Sequence, residues 1–83
     1  MLNEVLVRAL VELMVTLDLS DEEDVSIEAG SSMLNDAAAI LNGLSTEDQE
    51  DLVRLIGEFA ESETDPDRQD NMRELPGALG LVE

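Results

Sequence analysis

Cysteine, histidine, lysine, tryptophan and tyrosine are all missing from this chain of 83 residues, and Phe59 is its only aromatic. Each absence removes a class of chemistry. Without cysteine there is no disulfide framework and no thiolate nucleophile. Without cysteine and histidine, structural and catalytic zinc sites lose their usual ligands. No His or Lys stands ready to activate a serine, so a catalytic triad is excluded. The chain also lacks the basic patch and stacking aromatics that nucleic-acid binding needs, so no direct nucleic-acid partner is expected.

Carboxylates alone can hold Mg²⁺ or Ca²⁺, and Asp65 and Asp67 have the spacing that opens an EF-hand loop. Asp70 stands where that loop requires glycine, and Pro76 where it requires the bidentate glutamate. No metal, no other cofactor and no enzymatic activity are expected. The apolar N-terminus has no basic leader and is interrupted by Glu4, Arg8 and Glu12, so neither an export signal nor a membrane span is expected. Cytoplasm is the expected location.

What the chain has in abundance is acid. Asp and Glu number 21 and the net charge is −17. A monomer of this mass exposes about 4,900 Å², which gives one net negative charge per roughly 300 Å². Such a surface repels nucleic acid and anionic membrane and steers cationic partners toward itself. The charge is unevenly spread. Residues 1–17 carry a net −1, residues 18–51 carry −11 with no basic residue, and residues 52–83 carry −5. A salt-adapted composition is the alternative source of this charge; it accounts for the total and accounts less well for the distribution.

The remaining pattern is helical. The length allows one domain, spanning residues 1–83, with a core of Leu, Val, Ile, Ala and Met. In residues 2–17, Glu4, Arg8, Glu12 and Thr16 recur every four positions and form one narrow polar stripe, with i,i+4 pairing along it. Nearly everything else there is apolar, so this helix is expected to be covered on more than one side, centrally in a bundle or by another chain. Its valines make a strand the competing reading.

In the acidic connection that follows, Ser20 and Glu23 have capping-box spacing. A second helix is expected over about 26–42, with Ile27, Gly30, Met33, Leu34, Ala37, Ala38, Ile40 and Leu41 inward. Gly30 and the serines weaken its first turn and leave open a later start, capped by Ser31 or Ser32. Asn42-Gly43 reads as a left-handed stop. Ser45 then caps a third helix over about 46–62, burying Leu52, Val53, Leu55, Ile56, Phe59 and Ala60. Within it, Arg54 lies four residues from both Glu50 and Glu58. Asp65-Pro66 opens a short fourth helix that Pro76-Gly77 should end, leaving an apolar tail over 78–82 that packs back on the body. The expected fold is all-α, a compact bundle of three main helices plus one short C-terminal helix.

If the connection, the outer face of the second helix and the start of the third adjoin, one anionic patch results. Its candidates are Asp21, Glu22, Glu23, Asp24, Glu28, Asp36, Glu47, Asp48, Glu50 and Asp51. The expected function is an acidic protein-binding module with a cationic protein partner, of the immunity or antitoxin type that neutralises a nuclease toxin. Size, helicity and acidity resemble the acidic immunity proteins of bacteriocin nucleases at the level of class, with no residue motif in common. The alternatives are an assembly protein that oligomerises or docks a partner through residues 2–17, and a DNA mimic that blocks a defence enzyme.

Self-repulsion at −17 carries a direct consequence. Moderate NaCl should raise the melting temperature followed by circular dichroism, because screening relieves repulsion among the acids. A fall would show that ion pairing outweighs that repulsion.

Overall fold

A computed structural model describes residues 2–20 and 27–81, with Ile27 through its backbone alone. Four helices follow in order: α1 Glu4–Asp18, α2 Ile27–Leu41, α3 Thr46–Ser62 and α4 Pro66–Ala78. No strand occurs among the described residues, so the chain is all-helical and the β reading of the first segment is set aside. The capping box at Ser20 and Glu23 lies partly outside the described residues. None of the four helices is long and apolar enough to cross a membrane.

The helix starts follow local chemistry. Ser45 Oγ accepts the Asp48 amide at 3.2 Å, satisfying one of the donors that a first turn leaves without an intrahelical partner. Asp65 Oδ1 accepts the amides of Asp67 and Arg68 at 2.9 and 3.3 Å, and Pro66 occupies the first turn, where its missing N–H costs nothing. Asn3 does the same for α1, accepting from Val5 and Leu6 at 3.0 and 3.2 Å. That cap starts α1 two residues later than the apolar run suggests. α2 begins at Ile27, ahead of the weaker start at Ser31 or Ser32.

Two stops differ from expectation. Gly43 ends α2 without a left-handed turn. Its amide reaches Ile40 O at 3.0 Å, and a Cβ there would sit 3.1 Å from that same oxygen. Space, not φ, is the reason for glycine. The positive φ belongs to Gly80, at 73°. α4 also continues past Pro76 to Ala78. Proline in a last turn forfeits its own bond to the preceding turn, while the closing bonds remain. Leu79 N–H reaches Leu75 O at 2.9 Å, Gly80 N–H reaches Gly77 O at 3.1 Å, and Leu81 N–H reaches Pro76 O at 2.9 Å. The last two make a Schellman motif, with Gly80 in the left-handed position.

The core joins three helices. Val7, Val11, Met14 and Val15 come from α1, Leu52, Leu55, Ile56 and Ala60 from α3, and Met72 and Leu75 from α4, with Leu79 just beyond it. Pro76 is buried as well. Val53 and Phe59, expected inside, are half-buried. α2 leans on this unit through Leu34, Ala37, Ala38 and Leu41, each only partly buried. Met33 and Ile40, expected inward, are 53% and 76% exposed. Side-chain amides tie the ends. Asn42 Nδ2 donates to Ala38 O at 2.7 Å and to Leu79 O at 3.1 Å, joining the end of α2 to the end of α4. Gln49 Nε2 reaches Asn42 O and Leu44 O at 3.1 and 3.2 Å across the α2–α3 turn. Gln69 Nε2 reaches Ala60 O at 2.9 Å, holding α4 to α3.

The first helix reverses its expected arrangement. Its polar stripe is engaged with the protein, and its apolar outer side is open to water. Arg68 of α4 donates to Glu12 and, at 3.2 Å, to Thr16 Oγ1, while the Arg8 guanidinium lies 5.8 Å from the centre of the Phe59 ring. Val5, Leu6 and Leu13 are 78%, 68% and 69% exposed. α1 thus packs on α3, α4 and α2, but none of the described residues covers its outer side. The radius of gyration is 12.4 Å, as expected for a compact chain of this length, but the surface of 5546 Å² exceeds the roughly 4,900 Å² typical of its mass.

The glycines provide a paired test. Gly57 lies inside α3 with nothing near the position of a Cβ, so Gly57→Ala should stabilise by about 0.5–1 kcal/mol. Gly80→Ala forces an L side chain to positive φ and should destabilise by about 1 kcal/mol. Urea unfolding measures both, and a stabilising Gly80→Ala would mean that the Schellman stop is not formed.

Candidate functional site

The start of α3 gathers acids for a local reason. A helix N-terminus carries partial positive charge, so Glu47 and Asp48 in the first turn are favourable there. One turn later come Glu50 and Asp51, and helical spacing brings these two toward the same surface as the first pair. Glu47, Asp48, Glu50 and Asp51, with Arg54, line one open depression of about 250 Å³. Glu50 also lines a second depression of about 290 Å³, together with Thr46, Gln49, Val53 and Leu81.

Within this group Asp51 is a structural acid. It accepts the Leu2 amide at 3.2 Å, fastening the chain ahead of α1 to α3, and it pairs with Arg54, whose Nε lies 3.1 Å from Oδ1. The Arg54 hydrogen bonds, with the Leu2 amide next, hold the Asp51 carboxyl below its ordinary pKa against a small opposing effect of burial. Arg54 also reaches Glu58 Oε1 at 3.0 Å. The expected pairing with Glu50 is replaced by Asp51, three residues before Arg54 instead of four. Arg54 is therefore already shared by two carboxylates, and Glu47 and Glu50 face the solvent beside it.

The structure thus brings together four of the ten acids expected to form a patch. Glu28 and Asp36 are exposed on α2 and line neither depression. Asp21, Glu22, Glu23 and Asp24 lie outside the described residues. No group of three or more acids is arranged to hold a metal ion among the described residues.

A second ion-pair cluster sits on the other side of the core. Arg68 Nε donates to Glu63 Oε1 at 3.0 Å and its Nη2 to Glu12, with a quarter of its side chain exposed. Burial works against its charge, but Glu63 and Glu12 outweigh that and raise its pKa further. Its role is to join α4 to α1. The sequence pattern does not single out Arg68, because its partner Glu12 is 56 residues away.

The other feature missed at the level of sequence is the segregation of exposed apolar surface. Val5, Leu6, Leu13, Leu19, Met33 and Ile40 are the large apolar side chains most open to water, and all lie on α1, just after it, or on α2. The heptad spacing of Leu6 and Leu13, and of Met33 and Ile40, was the available signal. Each pair reads equally well as core.

The Asp51 tether sets a pH dependence. A carboxyl whose folded pKa is lowered stabilises the fold above its unfolded value, near 3.8, and that contribution is lost as pH falls through the lowered folded value. Asp51→Asn should therefore reduce the melting temperature at neutral pH, and the difference from the parent should begin to narrow once pH falls below about 4. A gap that does not narrow at all as pH falls below 4 would assign the effect to shape and not to charge. Compared with known proteins, the chain matches no family model, no curated protein and no solved structure.

Proposed function

We propose that this chain is a cytoplasmic, non-enzymatic, acidic protein-binding module, an immunity- or antitoxin-type inhibitor that neutralises a cationic partner such as a nuclease toxin. The supporting observation is the cluster at the start of α3. Glu47, Asp48, Glu50 and Asp51 surround one depression, and Arg54, the basic residue beside them, is already paired with Asp51 and Glu58. The depression therefore presents net negative charge in a concave setting that suits the head group of a partner's Lys or Arg. Electrostatic complementarity of this kind chiefly raises the rate of encounter, and the apolar contacts around it set the rate of dissociation.

The chemistry of the site favours binding over catalysis. A general acid or base at neutral pH needs a pKa moved toward 7. The carboxyl here with a resolved shift, Asp51, moves the other way.

A second reading has its own observation. Val5, Leu6 and Leu13 expose two thirds or more of their surface on one side of α1, which supports an assembly role in which that face is covered.

The acidic reading is tested by kinetics. A basic protein captured from the source cell on the immobilised chain should associate at a rate that falls steeply over a tenfold rise in NaCl. Glu47→Gln combined with Glu50→Gln should slow association several-fold with little change in dissociation. A salt-independent association rate would remove the electrostatic mechanism.

A further inference from the structure

We infer that the outer face of α1 is the interface of a two-fold symmetric dimer, in which the helix packs on α1 of a second copy with Ala9 at the axis. This rests on the assembly reading of α1 and not on the acidic surface of α3.

The face consists of Val5, Leu6, Ala9, Leu13 and Thr16, all exposed, at positions that fall on one side of a helix of 3.6 residues per turn. None is ionised. Their exposed parts offer roughly 500 Å², close to the about 600 Å² per partner of the smallest stable interfaces.

Charge and symmetry choose the occupant. A cationic partner finds no acid on this face to answer it. The nearby Glu12 is already held by Arg68. The occupant must therefore be apolar there, and it must tolerate the acids elsewhere on the chain. The face also complements itself. A two-fold interface requires the same patch on both partners, with residue i meeting j and j meeting i. Val5, Ala9 and Leu13 form one i,i+4 row with its smallest side chain at the midpoint. A two-fold through Ala9 sets Val5 of one chain against Leu13 of the other, twice, and brings the two Ala9 methyls together so that the helices approach closely. Rows of this spacing are the ridges along which helices most often pack.

Sedimentation equilibrium on the full chain at micromolar concentration should give twice the 9.0 kDa of one chain. Leu13→Glu should return it to 9.0 kDa with its helical circular dichroism unchanged, since Leu13 is mostly exposed in the single chain. The absence of cysteine makes single thiols clean reporters. A thiol placed at the axis, Ala9→Cys, should give a disulfide-linked dimer under mild oxidation, and Asp70→Cys on α4 should not. Glu47→Gln with Glu50→Gln should leave the dimer intact. A 9.0 kDa species at every concentration and salt, or a dimer that survives Leu13→Glu, or cross-linking through Asp70→Cys as fast as through Ala9→Cys, overturns the inference. A monomer that still binds a basic partner in a salt-dependent way removes the dimer alone. A dimer whose partner associates independently of salt removes the acidic mechanism alone.

Discussion

The contact on which the arrangement depends is Arg68 with Glu12 and Thr16. α1 is apolar on two sides, and burial alone scarcely distinguishes them. Burying a Val, Leu or Met side chain is worth about 1.5–3 kcal/mol, so an inner row of Val7, Val11, Met14 and Val15 and an outer set of Val5, Leu6, Ala9 and Leu13 compete on similar terms. The narrow polar stripe breaks the tie. With Glu12 and Thr16 against Arg68, and Arg8 over Phe59, the valine-rich side faces α3 and α4. Turning the helix over would separate Glu12 from Arg68 and leave a half-buried guanidinium with Glu63 alone, a loss comparable to the difference between the two apolar sides. Asn71 adds a second tie between the same helices by donating to Asp18. The inner side is also stiffer, because three of its four residues are β-branched and lose little rotamer freedom on burial.

This choice divides the surface into two kinds. The start of α3 presents carboxylates around a depression, and the outer side of α1 presents aliphatic groups without charge. Two of the four arginines are spent on holding the molecule together: Arg68 on α1 and α4, Arg54 on the turn that also carries Asp51 and so the chain ahead of α1. Around the α3 depression the single charge of Arg54 lowers that of the four acids without cancelling it. The scarcity of basic residues therefore has a structural side.

Much of the fold could be read from local chemistry. Ser45, Asp65 and Pro66 mark their helix starts because a cap depends on residues within one turn, and the bounds of α3 follow from its cap and its apolar period. The features that escaped depend on residues distant in sequence or on alternatives of nearly equal energy. Asn3 was hidden inside an apolar run. Pro76 reads as a stop, but the turn at Gly80, four residues on, closes the last bonds and lets α4 run on to Ala78. Met33 and Ile40 share a side with Ala37, and periodicity cannot tell a buried stripe from its exposed margin. At the site, the clustering of Glu47, Asp48, Glu50 and Asp51 was legible because they occupy one and a half turns of one helix. Whether Glu28 and Asp36 join them depends on how α2 leans, which local pattern does not encode.

The weak seating of α2 and the open face of α1 belong to one problem, that of a highly charged chain with too little apolar surface buried within itself. At physiological ionic strength, charges separated by more than about 8–10 Å hardly interact, so association between two such chains is governed by the charges near the contact and not by the total of −17. On the outer side of α1 the exposed Val5, Leu6, Ala9 and Leu13 carry no charge. The outer side of α1 is therefore the place where a second apolar surface can approach at least electrostatic cost. The uneven charge along the sequence is thus matched in the fold by two kinds of surface, an uncharged aliphatic side of α1 and a carboxylate-lined start of α3.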